Sequence, residues 1–301
     1  MKKQILITGA TGMIGRKLIH TLQKAEHTVS ILSRNEVNIP GVKSYIWDVD
    51  NGKIDPKCMS GTDTIIHLAG ENIASRKWTI KRKQQIINSR VLSTQLLYKT
   101  IQETNADVKN FISASAAGYY GDCGDKILTE ESASGSGFLA ECCKQWEDAV
   151  DQGESLSIRI VKFRIGFILA KGEGALSSLE KPIKFFLGAA LGTGRQWIPW
   201  VHINDIVSMF MNAVENPRFQ GAYNACAPFP ITNLTLTKSI AHELHRPLWP
   251  LNVPETILKL ILGEMSEVIF ISTNTSAQKL LSIDFKFQFT RLEDALSNIY
   301  N

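Results

Sequence analysis

The chain has 301 residues, 44% of them hydrophobic and 21% charged, which excludes an intrinsically disordered chain and allows one large α/β domain with a smaller annex. Its 33 basic and 29 acidic residues leave a formal charge of +4, too small to make nucleic acid or a membrane surface the main partner. No run approaches the roughly 18 apolar residues that span a bilayer, and Ile5–Ile7 is too short for a signal-peptide core, so a cytoplasmic protein is expected.

In the first half, short apolar runs alternate with longer helical patterns, which predicts βαβ units and a parallel sheet. QILITG reads as a buried strand and MIGRKLIHTLQKA as a helix with Ile14, Leu18 and Leu22 on one face. HTVSILSR, SYIWDV, DTIIHLAG and VKNFISAS read as further strands. Between the last two, Ile80, Ile87, Val91, Thr94, Tyr98 and Ile101 recur at helical steps and predict a long helix. LAECCKQWEDAV reads as another helix and LSIRIVKFRIGFIL as one strand. Beyond Leu169 the regularity fades, with glycine-marked loops around a short helix KPIKFFLGAA and with RPLWPLNVP leading to a helical C-terminal region. The expected division is a nucleotide-binding domain over 1–170, with later strands near 201–226, and a substrate-binding region over 171–301.

The five cysteines, Cys58, Cys123, Cys142, Cys143 and Cys226, are odd in number and lack CxxC spacing, so reduced thiols are expected. No histidine or acid sits at ligand spacing around Cys142 and Cys143, so no metal is expected there.

The chemistry-bearing motif is ITGATGMIG, Ile7–Gly15. A strand delivers the chain to a tight turn and a helix starts at once, so backbone N–H groups of Thr11, Met13 and Ile14 point at one spot. Gly9 permits the turn, Gly12 lets phosphate approach the backbone, and Gly15 lets helix and strand pack closely.

The GxxGxxG spacing, with HLAG ending at Gly70, the serines Ser113 and Ser115, YYG ending at Gly121, and WVHINDIV at Trp200–Val207, resembles the extended short-chain dehydrogenase/reductases, the epimerase/dehydratase type. Within them the chain is similar to a branch known as epimerase family proteins, through GENIASRKW, GYYGD, FLAECCKQWE, GTGRQWIPWVHIND and HRPLWPLNVP followed by LGEM. The resemblance covers nearly the whole chain. It implies a Rossmann-type doubly wound parallel sheet, a dinucleotide cofactor, cofactor contacts from Leu68, Ala69 and Gly70, and an acid beside the adenine ring, which Asp48 matches unless it caps a turn. It also implies that a homodimer is open to this chain.

An acid at the end of the second strand would favour NAD, because it accepts hydrogen bonds from the adenosine ribose and repels a 2′-phosphate. Ser33 and Arg34 stand there instead, and Arg16 follows the last glycine, so NADP(H) is expected. The resemblance further implies a tyrosine for proton transfer with a lysine four residues on. That pair is absent. Tyr45 is followed at four by Val49, Tyr98 by Gln102, Tyr119 by Cys123, Tyr120 by Gly124 and Tyr223 by Ala227, while Tyr300 is the penultimate residue. In FLAECC the two slots fall to Phe138 and Cys142 or to Leu139 and Cys143, and the asparagine four before Thr94 is Arg90.

The remaining catalytic candidates are Ser115 and Tyr120, with Tyr120 equally able simply to pack; His67 fits a packed residue better than a base. Candidates for a small, anionic ligand are Arg76, Arg195, Trp197 and His202, and Asp205 either shares that cleft or caps a helix. The stretch from Arg76 to Lys99 carries Arg76, Lys77, Lys81, Arg82, Lys83, Arg90 and Lys99 and no acid. Lys81–Lys83 stand near the start of the long helix, where the macrodipole disfavours cations by about 0.3 to 1 kcal/mol each, so this cluster is read either as facing an anionic ligand, together with Arg195, or as a solvated helix face. Two functions remain open: an NADP(H)-dependent oxidoreductase or epimerase-like enzyme with an unusual proton donor, and a non-catalytic NADP(H)-sensing or interaction protein.

Overall fold

The computed structural model describes residues 2–301. In chain order it runs β1 (Gln4–Thr8), α1 (Met13–Lys24), β2 (Thr28–Ser33), β3 (Lys43–Asp48), β4 (Lys53–Ile54), β5 (Thr64–His67), α2 (Ile80–Thr104), β6 (Asn110–Ala116), β7 (Ile127–Leu128) and α3 (Phe138–Asp151). It continues with β8 (Arg159–Ile165), β9 (Phe167–Leu169), α4 (Gly174–Lys184), β10 (Trp197–Ile198), β11 (Trp200–His202), α5 (Ile203–Glu215), β12 (Gly221–Ala225), β13 (Ile231–Thr232) and α6 (Asn233–Glu243). The last elements are α7 (Glu255–Leu262), α8 (Glu267–Phe270), β14 (Asn274–Thr275), α9 (Gln278–Ser282) and α10 (Leu292–Tyr300).

Eight strands form one sheet in the order β12-β8-β6-β5-β1-β2-β3-β4, parallel except for the short β4 at its edge. Ile5, Leu6 and Ile7 are all buried, as a strand covered on both faces requires. The helices α1 and α5 pack together, as do α2 and α3, which makes a doubly wound Rossmann-type α/β fold. The chain runs outward from β1 through β2 and β3, then returns to place β5 on the other side of β1. The resulting crevice lies at the carboxyl ends of β1 and β5, where open α/β sheets bind ligands.

LSIRIVKFRIGFIL does not form one strand. A Cβ at Gly166 would lie 2.3 Å from the Pro199 carbonyl oxygen, and this close approach accompanies a break that sends β9 out of the main sheet to pair with β11. The short helix also lies earlier than expected. It ends at Lys184, and Phe186 adopts φ +62°, so FFLGAA leaves the helix. Ile80 is 90% exposed because it opens α2 before the helix reaches the core, whereas Ile86, Leu97, Tyr98 and Ile101 face inward.

A second apolar cluster joins Leu176 and Ile183 of α4, Leu236 and Ile240 of α6, and Leu292, Leu296 and Ile299 of α10 around Trp200. The C-terminal chain is tied back to the first half. Asp205 accepts from the backbone N–H groups of Gln288 (2.7 Å) and Phe289 (3.1 Å), and β14 pairs with β7. No helix among the described residues is long and apolar enough to cross a membrane.

Candidate functional site

The turn between β1 and α1 is built for close approach. Gly9 has φ +68°, and a Cβ there would stand 2.6 Å from the Leu68 carbonyl; a Cβ at Gly15 would stand 2.6 Å from the Ala10 carbonyl oxygen. A Cβ at Gly12 would meet only the Gly9 oxygen, at 3.2 Å, so its other side is open. Gly12 caps α1 without any side-chain hydrogen bond, and the first turn carries no acid. Several backbone donors at the positive end of the helix dipole are thus left for an anion, which is the requirement for a pyrophosphate.

Ser33 closes β2, and the Arg34 side chain, 80% exposed, reaches Glu71 at 3.2 Å. Arg16 pairs instead with Glu173, at 2.6 Å, and also donates to the Thr11 carbonyl. Two of the crowded cations, Arg82 and Lys83, find anions within the chain. Buried Arg82 binds Glu71 at 2.9 Å and the Asn72 carbonyl at 2.7 Å, organising the GENIASRKW loop, while Lys83 pairs with Glu264 of the C-terminal region. Asp48 accepts from the Asn51 side chain at 2.7 Å and from its backbone N–H, which together hold its carboxyl below the usual range. It caps a turn as the structure stands.

His67 is fully buried between Thr8, whose hydroxyl lies 2.8 Å from Nδ1, and Ser93, whose hydroxyl lies 3.1 Å from Nε2. It therefore ties β1, β5 and α2 together beneath the crevice. Burial, reinforced by the Arg90 cation, lowers its pKa from 6.5 to about 3. Below about pH 6.5 the unfolded chain takes up a proton that the folded chain refuses until about pH 3, so stability falls as the pH drops through that window. Buried His202, lowered to about 4 by burial and by Lys17, acts in the same sense. We predict that the parent loses on the order of 2 kcal/mol more stability between about pH 6.5 and 5 than His67→Gln does, read from melting curves at each pH. Parallel melting curves across that range would refute this role for His67.

The surface of α3 that would present a tyrosine and a lysine is apolar. Phe138 stacks edge-on against Trp78 at 4.7 Å, and Trp78, Ile86, Leu139 and Cys142 form a small buried cluster. Burial raises the pKa of Cys142 and pushes Cys143 up to about 12, which keeps both as thiols. Neither position supplies a proton relay.

Ser115 and Tyr120 do come together, in a buried polar network. The Ser115 hydroxyl donates to Glu147 at 2.7 Å, Glu147 binds the Arg164 guanidinium through two contacts of 2.9 Å, and Arg164 donates to the Tyr120 oxygen at 2.8 Å. The Tyr120 hydroxyl in turn lies 2.6 Å from Asn224 Oδ1, and Lys162 adds a bond to Asp151 at 2.7 Å. Tyr120 is fully buried, and burial raises its pKa to about 12 against the pull of Arg164. Glu147 and Arg164 were not among the sequence candidates. Their signal was Lys162 and Arg164 two apart in the apolar run Ile160–Ile165, which puts both cations on one face of the strand.

On the ligand side, the Trp197 indole donates to Asp125 at 2.7 Å. Arg76 and Arg195 are exposed, and their guanidinium groups have no partner among the described residues. His202 takes the capping role that was one of the two readings of Asp205: its Nδ1 accepts from the Asn204 N–H at 3.2 Å, and its buried ring packs on Phe289 at 4.0 Å. A recess of about 560 Å³ lined by Pro56, Met59, Asp63, Thr104 and Asp107 lies at the amino-terminal ends of β5 and β6, the opposite end of the sheet from the glycine turn.

Residues 5–140 match the NAD dependent epimerase/dehydratase family, and residues 253–299 match a domain of unknown function, DUF1731. The epimerase family protein YfhF of Bacillus subtilis (strain 168) is 38% identical over 98% of this chain and 97% of its own. The chain belongs to the epimerase/dehydratase family. Another member, the epimerase family protein ML0860 of Mycobacterium leprae, is 32% identical over 98% of this chain and 95% of its own. Among solved structures, the human epimerase family protein SDR39U1, determined with NADPH, superposes over 99% of both chains with a TM-score of 0.86 and 26% identity. A nucleoside-diphosphate sugar epimerase from Corynebacterium glutamicum, 31% identical with a TM-score of 0.82, covers all of this chain and 58% of its own. Membership of the family makes this an NAD(P)-binding, epimerase-like protein, and the glycine turn at β1 and α1 is the part of it that fits the dinucleotide.

Proposed function

We propose that the protein binds NADP(H) and acts as an oxidoreductase of the epimerase-like kind on a small polar, anionic substrate. The observation that carries the cofactor choice is the end of β2, where Ser33 and Arg34 stand and no acid does. Bound NADP(H) would supply or accept the hydride. The chain would hold its pyrophosphate on the Gly9–Arg16 turn, run the carrier over Leu68, Ala69 and Gly70, and meet its 2′-phosphate with Arg34. Arg76, Arg195 and Trp197 are assigned to the substrate side, where a guanidinium binds carboxylate or phosphate in two-point fashion.

Arg34→Ala should weaken NADPH about tenfold or more while leaving NADH within twofold, measured by fluorescence titration, since one charge-assisted pair contributes about 1.5 to 3 kcal/mol. Equal losses for both nucleotides would remove the 2′-phosphate assignment.

A second reading is favoured by the apolar packing of Phe138, Leu139, Cys142 and Cys143: a protein that holds NADP(H) and reports or transmits its state without turnover. Epimerisation of a sugar needs a group that removes and returns a proton, and the positions on α3 do not provide one. A screen of carbonyl compounds for NADPH oxidation separates the two. Consumption of NADPH with any of them supports the oxidoreductase; tight binding with no turnover on all of them supports the sensor.

A further inference from the structure

The cation missing from α3 is present in space, on α2. Arg90 lies between the loop that follows β5 and the face of α3 that carries Cys142 and Cys143. Its guanidinium carbon would be 3.0 Å, and its Nη2 3.1 Å, from a Cβ at Gly70, so the group fills the room that any side chain at 70 would take. On the α3 side it stacks over the Trp146 ring at 5.1 Å. Both thiols sense it: burial raises Cys142 and Cys143, and the Arg90 cation pulls each back.

The guanidinium is fixed but not saturated. Nη1 donates to the Ile86 carbonyl at 2.9 Å and to the Ser89 hydroxyl at 3.4 Å, and Nη2 to the Glu71 carbonyl at 3.2 Å. Among the described residues, Nε and the second hydrogen of Nη2 have no acceptor, and Nε is not sealed from solvent. Two carbonyls, one hydroxyl and an aromatic face therefore hold a planar donor with two N–H groups to spare.

The order of the sheet says what passes this point. With the pyrophosphate on the α1 N-terminus beside β1, and the adenosine end toward Arg34 at β2, the remaining half of a dinucleotide must run the other way, over β5 toward β6. That path crosses Gly70 and the Arg90 guanidinium beside it. We propose that Arg90 is a cofactor-positioning residue that donates from its free N–H groups to the ribose hydroxyls of the nicotinamide half, supplying from α2 the cation that Cys142 or Cys143 does not supply from α3. This rests on the NADP(H) reading of the cradle. It also accounts for glycine at 70, since a side chain there would cover the donor.

The test compares two ligands on the full-length protein: NADPH, and adenosine 2′,5′-bisphosphate, which has the adenosine end but no nicotinamide ribose. Arg90→Gln should weaken NADPH about tenfold or more, by quenching or enhancement of nucleotide fluorescence, and leave the bisphosphate within about twofold by calorimetry. Arg90→Lys, which keeps the charge on Trp146, covers the case in which the glutamine variant does not fold; it should lose several-fold on NADPH alone. Unchanged NADPH affinity, or equal losses for the two ligands, would overturn the assignment. Failure of the parent protein to bind either ligand would instead bring down the cradle reading on which it stands.

Discussion

Gly15→Ala is expected to lower NADPH affinity by about 100-fold, roughly 2.7 kcal/mol. On helix propensity alone the change should help, since alanine inside a helix is favoured over glycine by about 1 kcal/mol. Packing decides the sign. The added methyl would lie 2.6 Å from the Ala10 carbonyl oxygen, 2.7 Å from the Ala10 Cα and 2.7 Å from the Gly9 oxygen, and backbone atoms cannot swing aside as a flexible side chain can. The first turn of α1 must move off β1, taking its free N–H groups away from the place proposed for the pyrophosphate. A titration with NADPH reads the loss directly, and a melting curve reads whether the fold pays about 1 to 3 kcal/mol as well. Binding within threefold of the parent would mean that the phosphates are not held at this turn.

Arg164→Met should destabilise the fold by about 3 to 5 kcal/mol and lower the melting temperature by on the order of 10 °C. The Arg164 and Glu147 side chains are each only 5% exposed, and Arg164 forks onto both oxygens of Glu147. Removing the guanidinium leaves the carboxylate facing Ser115 and, at a longer 3.5 Å, Lys162, which is itself occupied by Asp151. It also takes a donor from the Tyr120 oxygen and a cation from the Tyr119 ring 3.6 Å away. The paired change Arg164→Met with Glu147→Leu should recover much of the loss, because it removes both buried charges together. Melting curves of the single and double variants check this; a double variant no more stable than Arg164→Met would show that the ion pair is not the source of the cost.

The sheet was legible because its strands carry a period and a purpose. Ile5–Ile7 and the residues Thr64–His67 are continuously buried runs that only a parallel sheet covered on both sides accommodates, and GxxGxxG marks where the first of them must turn. The break at Gly166 was not legible, because its cause is the carbonyl of Pro199, thirty-three positions away in the chain. The same holds for the site. Composition could say that cations crowd the start of α2, but Glu264, which answers Lys83, lies on the far C-terminal segment.

By itself, then, the order of residues determined the glycine turn, the missing tyrosine and lysine, and the lack of an acid at the end of β2, since each of these is a matter of which side chain stands at a local spacing. Only the tertiary structure decided what the polar residues do. Ser115 and Tyr120 became members of a buried ion network rather than free hydroxyls, His202 became a helix cap, and Arg90 came to lie under Gly70. The physical reason is that a hydrogen bond or an ion pair depends on distance and burial, and for these side chains both are set by strands and helices that meet only when the sheet closes.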